Sequence, residues 1–227
     1  LAPHHIARTD ALLWRGDGAE AQRMLPLLPA GWQALARARI ALRAERDGVD
    51  RLIAAVPAAL ARDPGLAYDR FHWRIRKGRT DDALQLLLER SASAADLGQP
   101  ARWAGWRTYL ARSLMRDGRA AQAYMAASSH HLPKGSAYAE LEWLSGYIAL
   151  RYLGDAALAR DHFQRLRSAV STPISLGRAG YWIGRAQEAL GDPGAARIAY
   201  AEGGQYQTSF YGLLAAERGG LPPDASL

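Results

Sequence analysis

Glycine recurs along this chain at intervals that fit stacked pairs of helices. Six glycines stand in short polar turns about 30 to 40 residues apart: Gly16, Gly48, Gly78, Gly118, Gly154 and Gly191. A period of this length is typical of repeats in which each unit is a helical hairpin. A glycine at the end of a helix adopts positive φ easily and lets the chain turn into the next helix. The spacing therefore predicts a series of helix–turn–helix units.

The residues after each glycine indicate which side of the next helix faces inward. Five positions on, the residues are Ala21, Ile53, Ala83, Ala123, Ala159 and Ala196, and nine positions on they are Leu25, Pro57, Leu87, Ala127, Phe163 and Tyr200. A small residue is expected where two helices approach closely, and a larger one can follow a turn later. We therefore expect the first set to lie in the tight contact within each hairpin.

Two apolar stripes have helical spacing. The first contains Ala137, Leu141, Leu144, Ile148 and Tyr152, and the second contains Ala179, Trp182 or Ile183, Ala186 and Leu190. The second stripe stops at Gly191, and Asp192-Pro193 predicts the N-cap and first turn of another helix. No stretch alternates convincingly between apolar and polar residues as a strand does. We predict an all-α fold, a superhelical solenoid of stacked antiparallel helix hairpins that is tetratricopeptide-like.

Composition excludes some classes of protein. The chain has 227 residues, of which 49% are hydrophobic, so it can bury a continuous core. Its apolar runs are too short to cross a bilayer, and its first residues lack the pattern of a secretion signal. Cysteine is absent, which excludes disulfides and thiol nucleophiles and suits an exported protein. The net charge of +7 favours a polyanionic partner: nucleic acid, anionic lipid or an acidic glycan-peptide.

Motifs of catalysis and metal binding are missing from the sequence. It contains no Gly-x-Ser-x-Gly elbow, no His-Glu-x-x-His and no phosphate-binding glycine loop. The six histidines lack the i, i+4 spacing of metal ligands, and we interpret them as solvent-exposed residues at helix ends and in loops. We therefore predict no catalytic residue, no metal and no cofactor within these 227 residues.

Arginines and tryptophans form the remaining candidate binding features. Arg70, Arg74 and Lys77 share a helix face, which fits either a nucleic-acid contact or, by preference, a solvated face at a helix C-terminus. The seven tryptophans most simply fill gaps between hairpins. Trp103 and Trp106, three residues apart, are the pair that we retain as carbohydrate-contact candidates, because an aromatic face suits the apolar face of a sugar ring.

The last third of the chain carries the most specific pattern. Glu142-Trp143-Leu144-Ser145-Gly146 is followed by Tyr181-Trp182-Ile183-Gly184-Arg185-Ala186 and then by Thr208-Ser209-Phe210-Tyr211-Gly212-Leu213-Leu214-Ala215. Over residues 135–221 this order resembles the helical region that precedes the catalytic domain in soluble lytic murein transglycosylases of the Slt type. One departure is Leu213, where the family pattern has Gln. Before residue 135 the resemblance is architectural only.

The resemblance implies a function and a division of the chain. Residues 1–171 would be superhelical repeats, 172–221 linker-type helices that pack on a lysozyme-like catalytic domain, and 222–227 an unstructured exit segment. None of the eight glutamates precedes Ser and no Gly-Leu-Met-Gln occurs, so we expect the catalytic domain to lie outside this sequence. The intact parent would cleave the bond between N-acetylmuramic acid and N-acetylglucosamine with 1,6-anhydro closure, in the periplasm.

The same resemblance indicates partners and contact residues. The scaffold would guide or restrict peptidoglycan strands, support its own catalytic domain and bind other cell-wall enzymes, but bind no nucleic acid. Candidates for contact with glycan or with that domain are Arg178, Tyr181, Trp182, Arg185 and Tyr211. For the two arginines, capping and surface ion pairs explain the sequence equally well. The alternative function is a tetratricopeptide-type adaptor that holds a partner's peptide, and a basic nucleic-acid-binding solenoid is the third.

Overall fold

A computed structural model describes residues 1–225, which form α-helices joined by turns, with no strand among them. The predicted all-α class is confirmed. The chain divides into two compact units, Leu1–Pro100 and Ala101–Leu227. The boundary falls at the end of the Ser91–Pro100 stretch, which is rich in Ser, Ala, Gly and Pro. Each unit has its own set of packed helices.

The first unit contains seven α-helices. They are α1 Ala2–Arg15, α2 Gly18–Met24, α3 Ala30–Arg43, α4 Val49–Ala54, α5 Pro64–Arg76, α6 Thr80–Arg90 and α7 Ala94–Leu97, with 3₁₀ turns at Leu25–Leu27 and Ala58–Leu60. Helices α1, α3 and α5 pack against one another, and α2, α4 and α6 each pack on the helix that precedes them. This is the neighbour pattern expected of successive hairpins.

The second unit contains the remaining helices of the described chain. They are α8 Pro100–Arg116, which begins at the boundary, α9 Ala120–Ser128, α10 Ser136–Ile148, α11 Ala156–Ala169, α12 Pro173–Ala189, α13 Pro193–Gly203 and α14 Phe210–Gly219. Helices α9 to α13 each pack on the next, and α14 packs on both α12 and α13. The sequence-derived boundary between residues 171 and 172 falls inside this unit, where α11 contacts α12.

The glycine corners predicted from the sequence are confirmed. All six have positive φ, from +69° at Gly154 to +97° at Gly16. A residue with a Cβ rarely adopts this conformation, so glycine at these corners lets each helix end in a turn without strain. The period read from the sequence is thus the period of positive-φ corners in the structure, and five of the six follow the end of a helix, whereas Gly48 is the N-cap of α4.

The first set of inward positions, five residues after each corner, is confirmed with one exception, and in the second set, nine residues after, Pro57 is exposed. Ala21, Ala83, Ala123 and Ala159 are fully buried, and Ala196 is 3% exposed. The exception is Ile53, which is only half-buried. Its helix, α4, is six residues long and ends one residue later, so this repeat has no full second helix to present an inward face.

The two apolar stripes are buried through their middle positions, whereas Ala137 at the start of the first is half-buried and the last residue of each is exposed. In the first stripe Leu141, Leu144 and Ile148 are at most 1% exposed, but Tyr152 is 45% exposed. The cause is a π-helical turn over Ala149–Leu153, whose wider winding rotates Tyr152 away from the face that a regular helix would give it. In the second stripe Leu190 is 41% exposed beside the corner.

The predicted start of α13 is also confirmed. The Asp192 side chain accepts a hydrogen bond from the Ala195 N–H at 2.8 Å, and Pro193 occupies the first turn. An N-cap of this kind satisfies one of the backbone donors that a helix start leaves free.

A buried ion-pair network joins three helices of the first unit. Arg39, 1% exposed, donates from Nε to Asp69 Oδ2 at 2.8 Å and from Nη1 to Asp10 Oδ1 at 2.6 Å. Arg43 pairs with the other oxygen of Asp69 at 2.7 Å. The guanidinium lies over Gly65, where any Cβ would collide with it. Helices α1, α3 and α5 are therefore held together by charge as well as by apolar packing.

The end of the described chain folds back on the second unit. Residues 222–225 form no helix, yet Gln207 donates to the Pro222 carbonyl and accepts from the Asp224 N–H, both at 2.9 Å. The last two residues of the predicted exit segment, 226 and 227, lie outside the described residues. In the described part of the chain, no helix has both the length and the apolar character that crossing a bilayer requires.

Candidate functional site

Glycines allow α12, α13 and α14 to pack at very short range. Gly177, Gly180 and Gly184 lie along one side of α12. A Cβ on Gly177 would lie 2.6 Å from Ser209 Oγ, and a Cβ on Gly180 would lie 2.5 Å from the Cα of Gly203. Real Cβ atoms do not approach this closely, so larger residues would force the helices apart. This packing brings together the segments that carry the sequence motif.

An aromatic cluster lies beside this glycine contact. We define the aromatic cluster as Trp143, Tyr147, Phe163, Tyr181, Trp182 and Tyr211. Trp182 is its centre, with ring centroids 5.2 Å from Tyr147 and 5.8 Å from Phe163. Tyr181 and Tyr211 lie 5.4 Å apart. Contacts of this geometry add to the stabilisation from burial, so the cluster fixes α10, α11, α12 and α14 together.

The motif aromatics are mainly core residues. Tyr181 and Trp182 are each 7% exposed, and Tyr211 is half-buried. The indole N–H groups of Trp143 and Trp182 are buried and have no hydrogen-bond partner among the described residues. These rings have little surface left for a ligand. Their part in the candidate site is to set the position of α14.

The two motif arginines are engaged by neighbours within the second unit. Arg178 Nη1 lies 3.3 Å from Glu140 Oε2, and its guanidinium lies 5.0 Å from the Trp143 ring centroid. Arg185 donates to the Tyr181 hydroxyl at 3.0 Å and pairs with Glu188 at 3.2 Å. The sequence left open whether these arginines contact a ligand or form ion pairs. In this structure both Arg178 and Arg185 form ion pairs.

Trp103 and Trp106, retained from the sequence as carbohydrate-contact candidates, do not form a shared exposed surface in this structure. Trp103 is fully buried on the inward side of α8, as are Ala104, Arg107 and Leu110. Trp106 is half-buried and stacks edge-on with Tyr109 at 5.7 Å. Tyr109 is 58% exposed, so the aromatic surface of α8 is carried by Tyr109 and not by Trp103.

Helix α14 turns apolar side chains outward next to the aromatic cluster. Phe210 is 70% exposed and Leu213 is 51% exposed. Leu213 also lines an open groove with Leu214, Ala216, Leu221 and Pro223. The exposure of Leu213 makes this surface apolar. We call Phe210 and Leu213 the α14 face.

A buried polar cluster in the second unit was missed from the sequence. Glu142, 4% exposed, lies with Oε2 2.6 Å from His162 Nδ1 and Oε1 3.2 Å from His130 Nε2. Arg165 Nε reaches the same carboxylate at 3.0 Å. His162 Nε2 lies 2.8 Å from the Tyr124 hydroxyl. We call these five residues the Glu142 cluster.

The Glu142 cluster corrects the prediction that the histidines are all solvent-exposed. His130 and His162 are 4% and 3% exposed, because each is bound to a buried carboxylate from another part of the chain. Burial alone would raise the pKa of Glu142, but hydrogen bonds from His130 and His162, with the charge of Arg165, lower it to about 2. In the sequence, the only signal was that Glu142 is one of two glutamates in a largely apolar helix. Among residues 1–225 no group of side chains is placed to hold a metal ion.

The basic run of the first unit is also engaged locally. Arg74 donates to the Asp82 carbonyl at 2.7 Å, and Lys77 lies 3.4 Å from Glu45. Arg70 is half-buried, and burial lowers its pKa. These cations do not form the continuous exposed stripe that a nucleic-acid surface requires.

The chain matches no protein-family profile, no curated protein and no solved structure. Its function is therefore inferred from its own residues and their contacts.

Proposed function

We propose that this chain is the non-catalytic helical scaffold of a periplasmic peptidoglycan lytic transglycosylase. In this proposal its hairpins continue as a curved, tetratricopeptide-like superhelix that guides or restricts glycan strands. A separate lysozyme-like domain breaks the bond between the sugars, with 1,6-anhydro closure. The scaffold holds that domain in place and binds peptidoglycan and other cell-wall enzymes.

The α14 face carries this proposal. The motif that resembles Slt-type enzymes folds into one module, in which glycines and the aromatic cluster hold α12, α13 and α14. The same module leaves Phe210 and Leu213 exposed to solvent. Adjacent exposed apolar side chains of this kind are typical of interaction surfaces. A catalytic domain that packs on α14 would cover them.

The chemistry of the buried glutamate supports a scaffold role. Glycosidic bond cleavage needs a carboxylic acid that keeps its proton near neutral pH, and enzymes raise the pKa of that acid by burial. Glu142 is buried, but its three cationic or hydrogen-bonding neighbours lower its pKa to about 2. It is an ionised structural residue and not a proton donor. The proposal therefore places bond cleavage in the other domain.

Binding to cell-wall material is the first test. The purified chain is mixed with peptidoglycan sacculi and, in parallel, with DNA-cellulose, and the bound fractions are compared after sedimentation. We expect retention on sacculi and no release of anhydro-muropeptides. Retention on DNA alone would contradict the proposal. Binding to a protein partner without retention on sacculi would support the adaptor alternative instead.

The α14 face is tested with a charged double variant. Phe210→Glu and Leu213→Glu place two carboxylates in the first turn of a helix, where the helix dipole favours them, so the fold is expected to persist. Affinity for a separately produced Slt-type catalytic domain, measured by calorimetry, is expected to fall at least about tenfold, which corresponds to about 1.4 kcal/mol. Met125→Glu on α9, also an exposed apolar position, is the matched control and should leave affinity unchanged. Equal affinity for both variants would refute the assignment of this face.

A further inference from the structure

Two glutamates of the second unit are each shared by two arginines, and the first of them is Glu140 on α10. Its Oε1 lies 2.6 Å from Nη2 of Arg112 on α8, and its Oε2 lies 3.3 Å from Nη1 of Arg178 on α12. We call these three residues the Glu140 triad. Because arginine side chains are permanently charged, the triad has two positive charges against one carboxylate.

The second shared glutamate is Glu188, near the end of α12. Arg185 Nε, from the preceding turn of the same helix, lies 3.2 Å from Glu188 Oε2, and Nη1 of Arg218 on α14 lies 3.1 Å from Oε1. We call these residues the Glu188 triad, and it carries the same surplus of one positive charge. Within residues 1–225, no second carboxylate lies within 4 Å of the arginines of either triad.

The two triads meet α12 on the same face of the helix. Arg178 and Arg185 are seven residues apart in one continuous helix, which is almost two complete turns, so both side chains leave the same side. The rise along the helix axis over seven residues is about 10 Å. Helix α12 therefore presents two positively charged points at a fixed separation.

Both triads are partly open to solvent. The side chains of Arg178 and Arg185 are 23% and 25% exposed, and those of Glu140 and Glu188 are 30% and 38% exposed. Arg178 and Glu140 also line an open groove at the start of α10 and α12. The groove has four side chains with hydroxyl groups: Ser136, Ser171, Thr172 and Ser175. A ligand can therefore reach the guanidinium groups without displacing a buried residue.

The surplus charge favours a ligand that carries carboxylates. Two guanidinium groups that share one carboxylate repel each other, so a second carboxylate that approaches the pair is attracted by both. A guanidinium group also binds a carboxylate through two parallel hydrogen bonds. Three residues of extended peptide span about 10 Å, so one short acidic peptide can reach both triads at once.

We propose that the two triads bind the peptide part of a glycan-peptide, with one carboxylate of the peptide at each triad. The groove beside Arg178 then receives the adjoining sugar, whose hydroxyl groups bind its serine and threonine side chains. The ligand adds a second carboxylate to each triad, and the ion pairs with Glu140 and Glu188 remain. This inference rests on the proposed scaffold function and names the part of the ligand that α12 recognises.

Calorimetric titration of the unmodified chain with two soluble probes tests the ligand class. One probe is a disaccharide-peptide released from sacculi, and the other is the same disaccharide after enzymatic removal of the peptide. We expect the first to bind, with an affinity that falls as sodium chloride is raised, because salt screens exposed charges. The second should bind at least about tenfold more weakly. Equal affinity for the two probes would overturn the proposal.

A double variant, Arg178→Gln with Arg185→Gln, tests the site. Each substitution removes the surplus charge and leaves the glutamate paired with its other arginine, so the fold is expected to persist. We expect the affinity for the disaccharide-peptide to fall at least about tenfold and to lose most of its salt dependence. Unchanged affinity would refute the assignment of the triads.

The matched control is Arg151→Gln with Arg197→Gln. Both arginines are exposed and lie in the second unit, and the double substitution removes the same total charge. Affinity should stay within about twofold of the unmodified chain, because charges away from the binding site are screened by salt. A loss equal to that of the Arg178 and Arg185 variant would assign the effect to net charge and contradict a specific site.

Two comparisons separate this inference from the scaffold function on which it rests. If the unmodified chain and the Arg178 and Arg185 variant are retained equally on sacculi, the scaffold proposal stands and the triad assignment fails. If the unmodified chain is not retained at all, the scaffold proposal itself fails. A synthetic peptide with two glutamates three residues apart provides the last probe. Tighter binding of this peptide than of the disaccharide-peptide would assign the triads to an acidic protein segment and refute the glycan-peptide assignment.

Discussion

Replacing Gly180 with alanine tests whether the backbone approach of α12 and α13 determines the stability of the second unit. The added Cβ would lie 2.5 Å from Gly203 Cα, 2.7 Å from Gly203 N and 2.9 Å from the Ala199 carbonyl oxygen. All three are backbone atoms, so no side-chain rotation relieves the contact. Gly105, in α8 of the same unit, provides the opposite case, because a Cβ there meets nothing within 4 Å.

The two substitutions share one favourable effect and differ in one unfavourable effect. Alanine in place of glycine inside a helix stabilises by about 1 kcal/mol. At Gly180 the helices must also separate by about 1 Å to reach ordinary contact distance, and overpacking of this kind costs about 3 kcal/mol. The net expectation is a loss of about 2 kcal/mol for Gly180→Ala and a gain of about 1 kcal/mol for Gly105→Ala.

Thermal unfolding followed by far-ultraviolet circular dichroism provides the measurement. For a chain of this length 1 kcal/mol shifts Tm by about 2–4 °C, so Gly180→Ala should melt about 4–8 °C below the unmodified protein and Gly105→Ala about 2–4 °C above it. The opposite signs are the decisive feature. If Gly180→Ala melts at or above the unmodified protein, the close approach of α12 and α13 does not limit residue size there, and the packing argument fails.

Three further substitutions test the buried polar contacts and one helix cap. Glu142→Gln should lower the free energy of unfolding by about 1–3 kcal/mol. The pKa of Glu142 is lowered to about 2, so its ionised form stabilises the fold above about pH 4.5. In urea titrations, the difference in unfolding free energy between the variant and the unmodified protein should therefore shrink as pH falls toward 2. Arg39→Met leaves Asp69 buried without its main cation and should cost about 3–5 kcal/mol in urea unfolding, whereas no change would show that the ion pair is dispensable. Asp192→Ala removes the N-cap of α13 and should cost about 1 kcal/mol, visible as a lower urea midpoint with unchanged slope.

Helix ends and inward alanines could be predicted because each depends on a few adjacent residues. A glycine in a polar turn allows positive φ whatever surrounds it, and all six predicted corners have that conformation. The alanine five residues later lies about one turn into the next helix. Its position along the helix relative to the corner is therefore fixed, and so is the side of the helix that it faces. The failure at Ile53 has the same local origin, since α4 ends too early to bury it.

Contacts between distant residues could not be predicted in this way. Glu142 meets His130 and His162 from 12 and 20 residues away, and no local spacing records that convergence. The π-helical turn at Ala149–Leu153 likewise left no trace in the apolar period, which continues through it to Tyr152. Periodicity assigns a residue to one face of a helix. It does not show which partner covers that face.

The motif that resembles a cell-wall enzyme is largely a packing motif in this structure. Its glycines are required by backbone contacts, and Tyr181 and Trp182 are 7% exposed, so these residues specify how three helices assemble. Surface chemistry is left to positions that the packing does not constrain, notably Phe210 and Leu213. In the proposed scaffold this motif therefore supplies packing, and binding must be tested on the α14 face. Substitutions in the aromatic cluster would unfold the module and remove binding for an unrelated reason.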